Sequence, residues 1–366
     1  SVLKLLKECG SGFDVVSGGE VYRAVKAGAD PEDIVFAGVG KTEAEIRYAL
    51  DAGVGMFNVE SGPELENIRN VASDMGRVAG ISLRVNPDVD PKTHAKTTTG
   101  KKENKFGISF GTAAELLQRA TDWDSVKLRG VHVHLGSPIY STEPYEKALE
   151  KVCDFVETQR RRGCEIDTLN LGGGYCISYT GRDVIGPDVY AEAVQPYLDR
   201  LGCDLILEPG RYIAGNSGIL LTRVTYRKVT EHGKKFLICD AGMNDMLRPT
   251  LYEAFHGIWP TESPGGMPEE LSPEAEEYEG IETETVDVVG PVCESGDYLG
   301  KDVAVPRVEQ GGLLSVFSAG AYGFTMASNY NARPRPPEIM VEGDEDRLVR
   351  PRETYEDLVA PETDLI

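Results

Sequence analysis

The feature that most constrains the fold is a regular alternation of short strand patterns with amphipathic helix patterns. Strand patterns cover residues 13–16, 34–37, 56–60, 78–86, 128–136, 167–172 and 204–210. Between them, residues 19–29, 41–51, 62–74, 112–120, 144–162 and 187–201 carry apolar side chains three or four positions apart. This alternation predicts an α/β fold with a parallel sheet. Seven strands are one short of a closed (β/α)8 barrel, and residues 1–10 are typical of the helix that follows a first strand, so we expect that strand to be absent from this chain.

The pattern of predicted secondary structure changes after about residue 215. Short β-rich runs at 218–229, 234–241, 285–292 and 313–322 replace the alternation. The sequence therefore predicts two domains, a barrel over residues 1–215 and a C-terminal β domain over residues 216–366 that ends in a helical segment.

Charge and composition restrict the partners and the compartment. The net charge is −22, from 38 basic and 60 acidic residues, which argues against nucleic acid or an anionic membrane as a partner. No apolar run approaches the roughly 20 residues of a membrane span, and we expect no signal peptide. The seven cysteines lack paired zinc spacing and are expected to be reduced thiols. We expect a cytoplasmic protein.

Two motifs at the ends of consecutive strand patterns indicate a cofactor. In the first, Leu169 to Tyr175, three adjacent glycines allow backbone N–H groups to close on an anion such as a phosphate. The second, Leu205 to Tyr212, places Glu208 and Arg211 on the turn that leaves the next strand, where they could hold a protonated ring nitrogen and a nearby anion. Together these motifs predict pyridoxal phosphate.

A pair of histidines lies near the end of the fifth strand pattern. His132 and His134 lie two residues apart, which places them on one strand face. A metal pair is one interpretation, although metal hydrolases need further ligands and the other three histidines show no ligand spacing. The favoured interpretation is that one imidazole stacks on a cofactor ring while Ser137 contacts the phosphate. For His132 we favour a satisfied core histidine, and we expect no metal.

Eight segments carry a resemblance to a known family. They are FDVVSGGE, KFGIS, HVHLGS, LNLGGGY, LEPGRY, MLRPTLYEAFH, GPVCESGDYL and GAYGFTMASNYNARPRP, and they span nearly the whole chain. In this set of motifs the chain resembles the diaminopimelate decarboxylases, which are pyridoxal phosphate enzymes with the alanine-racemase and ornithine-decarboxylase fold. The resemblance implies a (β/α)8 barrel followed by a β domain, a homodimer with active sites shared across its interface, and decarboxylation of meso-diaminopimelate to L-lysine and carbon dioxide.

The resemblance also implies roles for individual residues. It makes Cys293 the proton donor, contributed from the other subunit, and His134 the ring-stacking residue. It implies cofactor contacts for His134, Ser137, Gly172, Gly173, Gly174, Glu208, Gly210, Arg211 and Tyr322. It implies substrate contacts for Arg211, Arg248, Tyr252, Glu294 and Tyr322. Arg248 and Glu294 would supply the cation and the anion that a distal amino-carboxylate needs.

Three alternatives remain open at this stage. The chain could decarboxylate another basic amino acid or a polyamine precursor, of the ornithine, arginine or carboxynorspermidine type. It could be a non-catalytic homologue that lacks the cofactor lysine, or a metal-dependent hydrolase that uses the histidine pair. Family members carry the cofactor lysine at the end of the first barrel strand, in a motif that resembles YAVKAN. No such motif occurs here, and Lys4, Lys7, Lys41 and Lys105 are unconvincing substitutes, so we expect the lysine to lie upstream of Ser1.

Overall fold

The computed structural model describes residues 1–90 and 105–362. Contacts divide the chain into two compact units. The first unit comprises residues 1–176 and 185–209, and the second comprises residues 177–184 and 210–366. Of the other histidines noted above, His94 lies outside the described residues.

The first unit is built on a seven-stranded parallel sheet. Its strands are β1 (Phe13–Val15), β2 (Ile34–Phe36), β3 (Met56–Val59), β4 (Ala79–Arg84), β5 (Val126–His132), β6 (Thr168–Asn170) and β7 (Asp204–Ile206). They pair in chain order, so that β1 and β7 are the edge strands of the sheet among the described residues. The predicted α/β fold with parallel strands is confirmed, and the strands are shorter than the sequence patterns because residues at their ends turn into loops.

The helices of this unit are α1 (Val2–Glu8), α2 (Gly18–Lys26), α3 (Glu43–Ala52), α4 (Gly62–Asp74), α5 (Phe110–Ala120), α6 (Glu143–Arg161) and α7 (Pro187–Leu201). Helix α1 precedes the first strand of this unit, and helices α2 to α7 connect its consecutive strands. At the start of α2, α3, α4 and α5, a serine or threonine side-chain oxygen accepts a backbone N–H of the first turn. Thr42 and Glu45 form a complete capping box at the start of α3. None of the helices that the structure describes is both long and apolar enough to cross a membrane, and the longest, α6, is interrupted by many charged residues.

The two faces of each strand have different surroundings. Phe57, Ile81 and Leu128 are register partners on β3, β4 and β5 and are buried in the apolar core with residues of the helices. Each such side chain contributes about 1.5–3 kcal/mol by burial. The alternating positions are polar, since Asn58 and Ser82 are also register partners and both are fully buried. The polar face leads to the functional residues at the carboxyl ends of the strands.

The second unit is mostly β structure. A six-stranded sheet contains β8 (Leu220–Val229), β9 (Lys235–Cys239), β10 (Ile258–Pro260), β11 (Glu284–Val289), β12 (Tyr298–Val305) and β13 (Leu313–Val316), in the order β10-β13-β8-β9-β11-β12. Strands β14 (Glu338–Glu342) and β15 (Glu345–Arg350) form a separate hairpin, and the short helices are α8 (Gly210–Ala214), α9 (Arg248–Tyr252) and α10 (Tyr355–Val359). Trp259 and neighbouring strand residues form its own apolar core. The predicted C-terminal β domain is confirmed.

Candidate active site

The first unit gathers polar side chains at the carboxyl ends of β3 to β7. Arg84, His132 and Asn170 end β4, β5 and β6 and are register partners in adjacent strands. His134 follows β5, the three glycines follow β6, and Glu208 follows β7. Active-site groups of parallel barrels lie at this end because the strand ends converge there. The structure thus places His134, Gly172–Gly174 and Glu208 together at the carboxyl ends of the strands of one sheet, as the sequence predicts.

The glycine turn is required by close packing on both sides. Gly172 has φ +64° and Gly174 has φ +110°, a region that side chains rarely adopt. A Cβ on Gly172 would lie 2.7 Å from Nδ1 of His134, and a Cβ on Gly173 would lie 2.3 Å from the carbonyl oxygen of Glu208. Glycine is therefore the residue that allows the turn to contact the loops after β5 and β7 at the same time.

His134 is held as a neutral imidazole. The Gly173 amide donates to its Nδ1 at 3.1 Å, so Nδ1 is an acceptor and the ring proton lies on Nε2. Burial, with a smaller contribution from the Arg84 guanidinium, lowers the pKa of His134 to about 3. The imidazole of His134 is therefore uncharged near neutral pH, and a group that stacks on it contacts an uncharged ring.

Glu208 is held among groups of both charges. The Asn170 side-chain amide donates to its Oε1 at 2.7 Å, and the backbone amide of Glu208 donates to the Gly172 carbonyl at 2.9 Å. Burial raises the pKa of Glu208 to about 6, against the lowering effect of the Asn170 hydrogen bond and of Arg84. A carboxyl group with a pKa of about 6 can share a proton with an aromatic nitrogen.

His132 differs from the sequence interpretation. It is 1 % exposed, as a core residue would be, but neither ring nitrogen has a hydrogen-bond partner among the described residues. Its Nε2 lies 3.6 Å from Oε1 of Glu208. Burial lowers its pKa well below the ordinary value, with Arg84 adding to the effect. The prediction that His132 is a core residue is confirmed. The prediction that its hydrogen bonds are satisfied is wrong, because the ring lies beside a carboxyl group but makes no hydrogen bond to it.

Two of the three glycine amides have protein acceptors. Gly172 donates to Oδ1 of Asn170 at 2.8 Å, and Gly173 donates to His134. The expected anion contacts of this turn are therefore not made by these two amides, which already donate to protein atoms. The same bonds fix the turn, and Tyr145 adds to this by donating to the Gly173 carbonyl at 2.9 Å. In the loop after β5 that contains Ser137, the Ile139 amide donates to the Gly174 carbonyl.

Sequence reasoning missed a buried ion pair in this site. Arg84 donates to Glu60 at 2.5 Å, and both side chains are at most 8 % exposed. The second carboxylate oxygen of Glu60 accepts the Gly107 amide at 2.8 Å. Arg84 also donates to the His134 carbonyl at 3.4 Å, which fixes the backbone of that residue. The available signal was that Glu60, directly after β3, and Arg84, at the end of β4, continue the alternating polar positions of these strands.

Lys41 has contacts that explain why it is no substitute for a cofactor lysine. Its ammonium group donates to the carbonyls of Gly38 and Asn58 at 2.8 and 2.7 Å and to Glu64 at 2.6 Å. These contacts occupy all three donors of a side chain that is 1 % exposed.

The second unit holds a pair of buried arginines. Arg211 donates to the Tyr179 hydroxyl at 2.5 Å, and Arg248 contacts the same hydroxyl at 3.4 Å. The ring of Tyr322 lies 4.9 Å from the guanidinium of Arg211 and 5.5 Å from that of Arg248, and the Tyr252 ring lies 5.7 Å from Arg248. Burial lowers the pKa of Arg248 from its ordinary value. Two adjacent cations in low dielectric favour an anion such as a carboxylate.

Backbone and helix geometry position the arginine pair. Arg248 and Tyr252 are the ends of α9, four residues apart on one face, as predicted. Tyr322 has φ +59°, a conformation that costs energy for a side-chain residue and is typical of functional loops. Arg211 follows Gly210 at the start of α8. His256, which accepts from Arg248 at 3.2 Å, was not predicted; burial lowers its pKa to about 4, so it adds no charge near neutrality.

The loop between β11 and β12 carries Cys293 and Glu294. Cys293 is an exposed thiol, as the prediction of a polar, reactive setting requires. The loop is fixed from its base, because Asp297 accepts the amides of Met243 and Val292 at 2.6 Å each. The hydroxyl of Tyr330 donates to the carboxylate of Glu294, a contact that sequence reasoning missed.

These residues fit pyridoxal phosphate. The ring nitrogens of His132, beside Glu208, have no hydrogen-bond partner among the described residues, and a Cβ on any of the three turn glycines would collide with neighbouring atoms. Both observations indicate a site for a polar group that binds close to the backbone. Glu208 would hold the pyridine nitrogen, His134 would stack on the ring, and the glycine turn would contact the phosphate. Over residues 1–90 and 105–362, no three His, Cys, Asp or Glu side chains are grouped as metal ligands.

Comparison with known proteins shows the family that this chain resembles. Residues 1–215 match the family described as pyridoxal-dependent decarboxylase, pyridoxal binding domain. The diaminopimelate decarboxylase of Neisseria meningitidis (serogroup A) is 46% identical over 362 residues, which is 99% of this chain and 85% of that protein. The diaminopimelate decarboxylase of Aquifex aeolicus is 43% identical over 365 residues, with 100% of this chain and 83% of that protein covered.

A solved structure gives the same result. The diaminopimelate decarboxylase of Helicobacter pylori, crystallised with L-lysine, superimposes with a TM-score of 0.91 at 40% identity, and the match covers 99% of this chain and 86% of that one. The fold and the site thus define a pyridoxal-dependent decarboxylase. Within that class, the chain belongs to the diaminopimelate decarboxylase family.

Proposed function

We propose that this protein removes the α-carboxylate of meso-2,6-diaminopimelate to give L-lysine and carbon dioxide, with pyridoxal 5'-phosphate as cofactor, in lysine biosynthesis. The observation that carries the proposal is the cluster of Glu208, His134 and the glycine turn at one end of one parallel sheet. The identity with diaminopimelate decarboxylases across nearly the whole chain supports the choice of substrate.

The first-unit residues would bind and tune the cofactor. The cofactor, when bound, supplies an electron sink for the charge left on the α-carbon as carbon dioxide departs. Glu208 would hold a proton at the ring nitrogen, which strengthens that sink. His134 would stack on the ring without adding charge, because its pKa of about 3 leaves it neutral. The Gly174 amide, Ser137, Gly210 and Arg211 would contact the phosphate.

The second-unit residues would select the substrate. Arg211 and Arg248 would bind the distal carboxylate, with Tyr322 and Tyr252 orienting the guanidinium groups by ring contact. Glu294 would bind the distal ammonium, and the hydroxyl of Tyr330 would orient its carboxylate. A substrate without a distal carboxylate would leave the buried Arg248 guanidinium without a compensating anion, which favours diaminopimelate over ornithine or arginine.

The proton that replaces carbon dioxide would come from Cys293. The Sγ–H bond breaks, the proton goes to the α-carbon, and the exposed thiolate regains a proton from solvent. We propose that this cysteine acts in the site of a second copy, in a cytoplasmic homodimer, and that the domain boundary lies near residue 215.

The test is whether L-lysine formation from meso-diaminopimelate depends on pyridoxal phosphate and on Glu208. The purified full-length protein, with its cofactor lysine, should form lysine and carbon dioxide in equal amounts when the cofactor is supplied, and Glu208→Gln should lower kcat by at least about 100-fold, because a neutral amide cannot keep the ring nitrogen protonated. Equal rates for the parent and Glu208→Gln would contradict the assignment.

A further inference from the structure

Asn170 makes two hydrogen bonds that join the two halves of the cofactor site. It ends β6, is fully buried, and donates through Nδ2 to Oε1 of Glu208 at 2.7 Å. Its Oδ1 accepts the Gly172 amide at 2.8 Å. Because one end of the side chain only donates and the other only accepts here, both contacts need an amide.

The backbone closes this link into a ring. The Glu208 amide donates to the Gly172 carbonyl at 2.9 Å, so the glycine turn and Glu208 are joined once through the main chain and once through Asn170. Asn170 pairs in register with Ile206, two residues before Glu208. Displacing the Asn170 side chain would therefore release both the carboxylate and the first amide of the turn.

We propose that Asn170 is a positioning residue that holds the Glu208 carboxylate and the glycine turn in one arrangement. The role toward the cofactor rests on the proposed function.

The surroundings of Glu208 explain why this donor matters. The charged and titratable groups that face it from the neighbouring elements are Asp14 on β1, Glu60 after β3, Arg84 on β4, His132 on β5 and Tyr175 after β6. Asp14 and Glu60 oppose the negative charge, and the nearest imidazole is neutral. Arg84 is already paired with Glu60. The Asn170 amide is therefore the group that donates a hydrogen bond to the carboxylate side chain.

Two variants separate the parts of this link. Asn170→Asp keeps the volume and the acceptor for the Gly172 amide, but it loses the donor and places a second carboxylate beside Glu208. Asn170→Ala removes both contacts. Ser82→Ala is the matched control, since it deletes a buried polar atom from β4 that has no hydrogen-bond partner among the described residues.

The first measurement needs no cofactor. The pH dependence of thermal stability is compared in each background with and without Glu208→Gln, so that the difference reports the titration of Glu208. We expect the midpoint of this difference to rise by about one pH unit in both Asn170 variants and to stay in place in Ser82→Ala. An unchanged midpoint in a folded Asn170 variant would overturn the proposal.

The second measurement is affinity for pyridoxal phosphate, followed by absorbance. Loss of a hydrogen bond to a charged group should weaken binding about tenfold or more in Asn170→Asp and Asn170→Ala, with Ser82→Ala within about twofold of the parent. Parent-like affinity in both variants would overturn the proposal. If the parent itself bound no cofactor, the proposed function would fail, while the midpoint of Glu208 would still decide the role of Asn170.

Discussion

The Gly173 amide donates to Nδ1 of His134 at 3.1 Å, and this bond fixes both the tautomer of the ring and the path of the glycine turn. His134→Phe keeps an aromatic face but leaves the Gly173 amide without its acceptor. At pH 7.5 we expect the variant to lose about 1–3 kcal/mol of stability. The free energy of unfolding from urea titrations measures this loss, and His232→Phe, on the turn after β8, is the control.

The same variant makes a prediction about pH. Between an ordinary pKa of 6.5 and the folded value of about 3, the unfolded state binds a proton on His134 that the folded state does not. The parent should therefore lose stability as the pH falls below 6.5, whereas His134→Phe should lose less. The difference between them should shrink from pH 7.5 to pH 5, and a constant difference would show that His134 is not buried as a neutral ring.

Gly174 should tolerate no side chain. At φ +110° its Cβ would lie 2.4 Å from the Gly136 carbonyl oxygen and 2.8 Å from the Tyr145 hydroxyl. We expect Gly174→Ala to cost more than about 3 kcal/mol and to weaken cofactor binding. Gly111→Ala, in α5 with open space around its Cβ, should be neutral or slightly stabilising. Equal melting temperatures for the two variants would contradict the packing of the turn.

Arg248 should be sensitive to loss of its planar fork. Arg248→Lys keeps the charge but loses the Tyr179 and His256 contacts of the guanidinium and its stacking on the tyrosine rings. We expect kcat/KM for meso-diaminopimelate to fall about tenfold or more. Arg47→Lys, an exposed arginine on α3, is the control. An unchanged kcat/KM would remove Arg248 from the substrate site.

Sharing of sites can be tested by mixing inactive subunits. Cys293→Ala and Glu208→Gln should each be inactive alone. If Cys293 acts in the site of the other copy, a mixed dimer has one intact site, and random mixing should restore about a quarter of the parent activity. Sedimentation confirms that dimers form. A mixture of dimers that stays inactive would contradict the shared site.

Much of this site could be predicted from local patterns. The glycine turn and Glu208 follow strand patterns directly, so their place at one edge of a parallel sheet could be inferred from chain order. Asn170 lies inside the same motif, but its link to Glu208 joins residues 38 positions apart and has no local signature. The Arg84 and Glu60 pair was missed for the same reason, since it is 24 positions apart.

Three strands of the second unit, β12, β14 and β15, could also not be predicted from local sequence patterns. The short connection Gly343-Asp344 between β14 and β15 is a recognisable hairpin signal, yet the strands beside it are exposed and mostly polar, so their pattern is weak. Strand β12 was missed because glycine and charged residues interrupt its alternation, and its pairing with β11 decides its structure instead.

Substrate choice tests the account most directly. The purified full-length protein, with its cofactor lysine and pyridoxal phosphate, is given meso-diaminopimelate, L-ornithine or L-arginine, and carbon dioxide and the amine product are measured for each. We expect L-lysine and carbon dioxide in equal amounts from meso-diaminopimelate, with kcat/KM at least about 100-fold above that for the other two, because only diaminopimelate brings a distal carboxylate to Arg211 and Arg248. Equal or faster release of carbon dioxide from ornithine or arginine would contradict it.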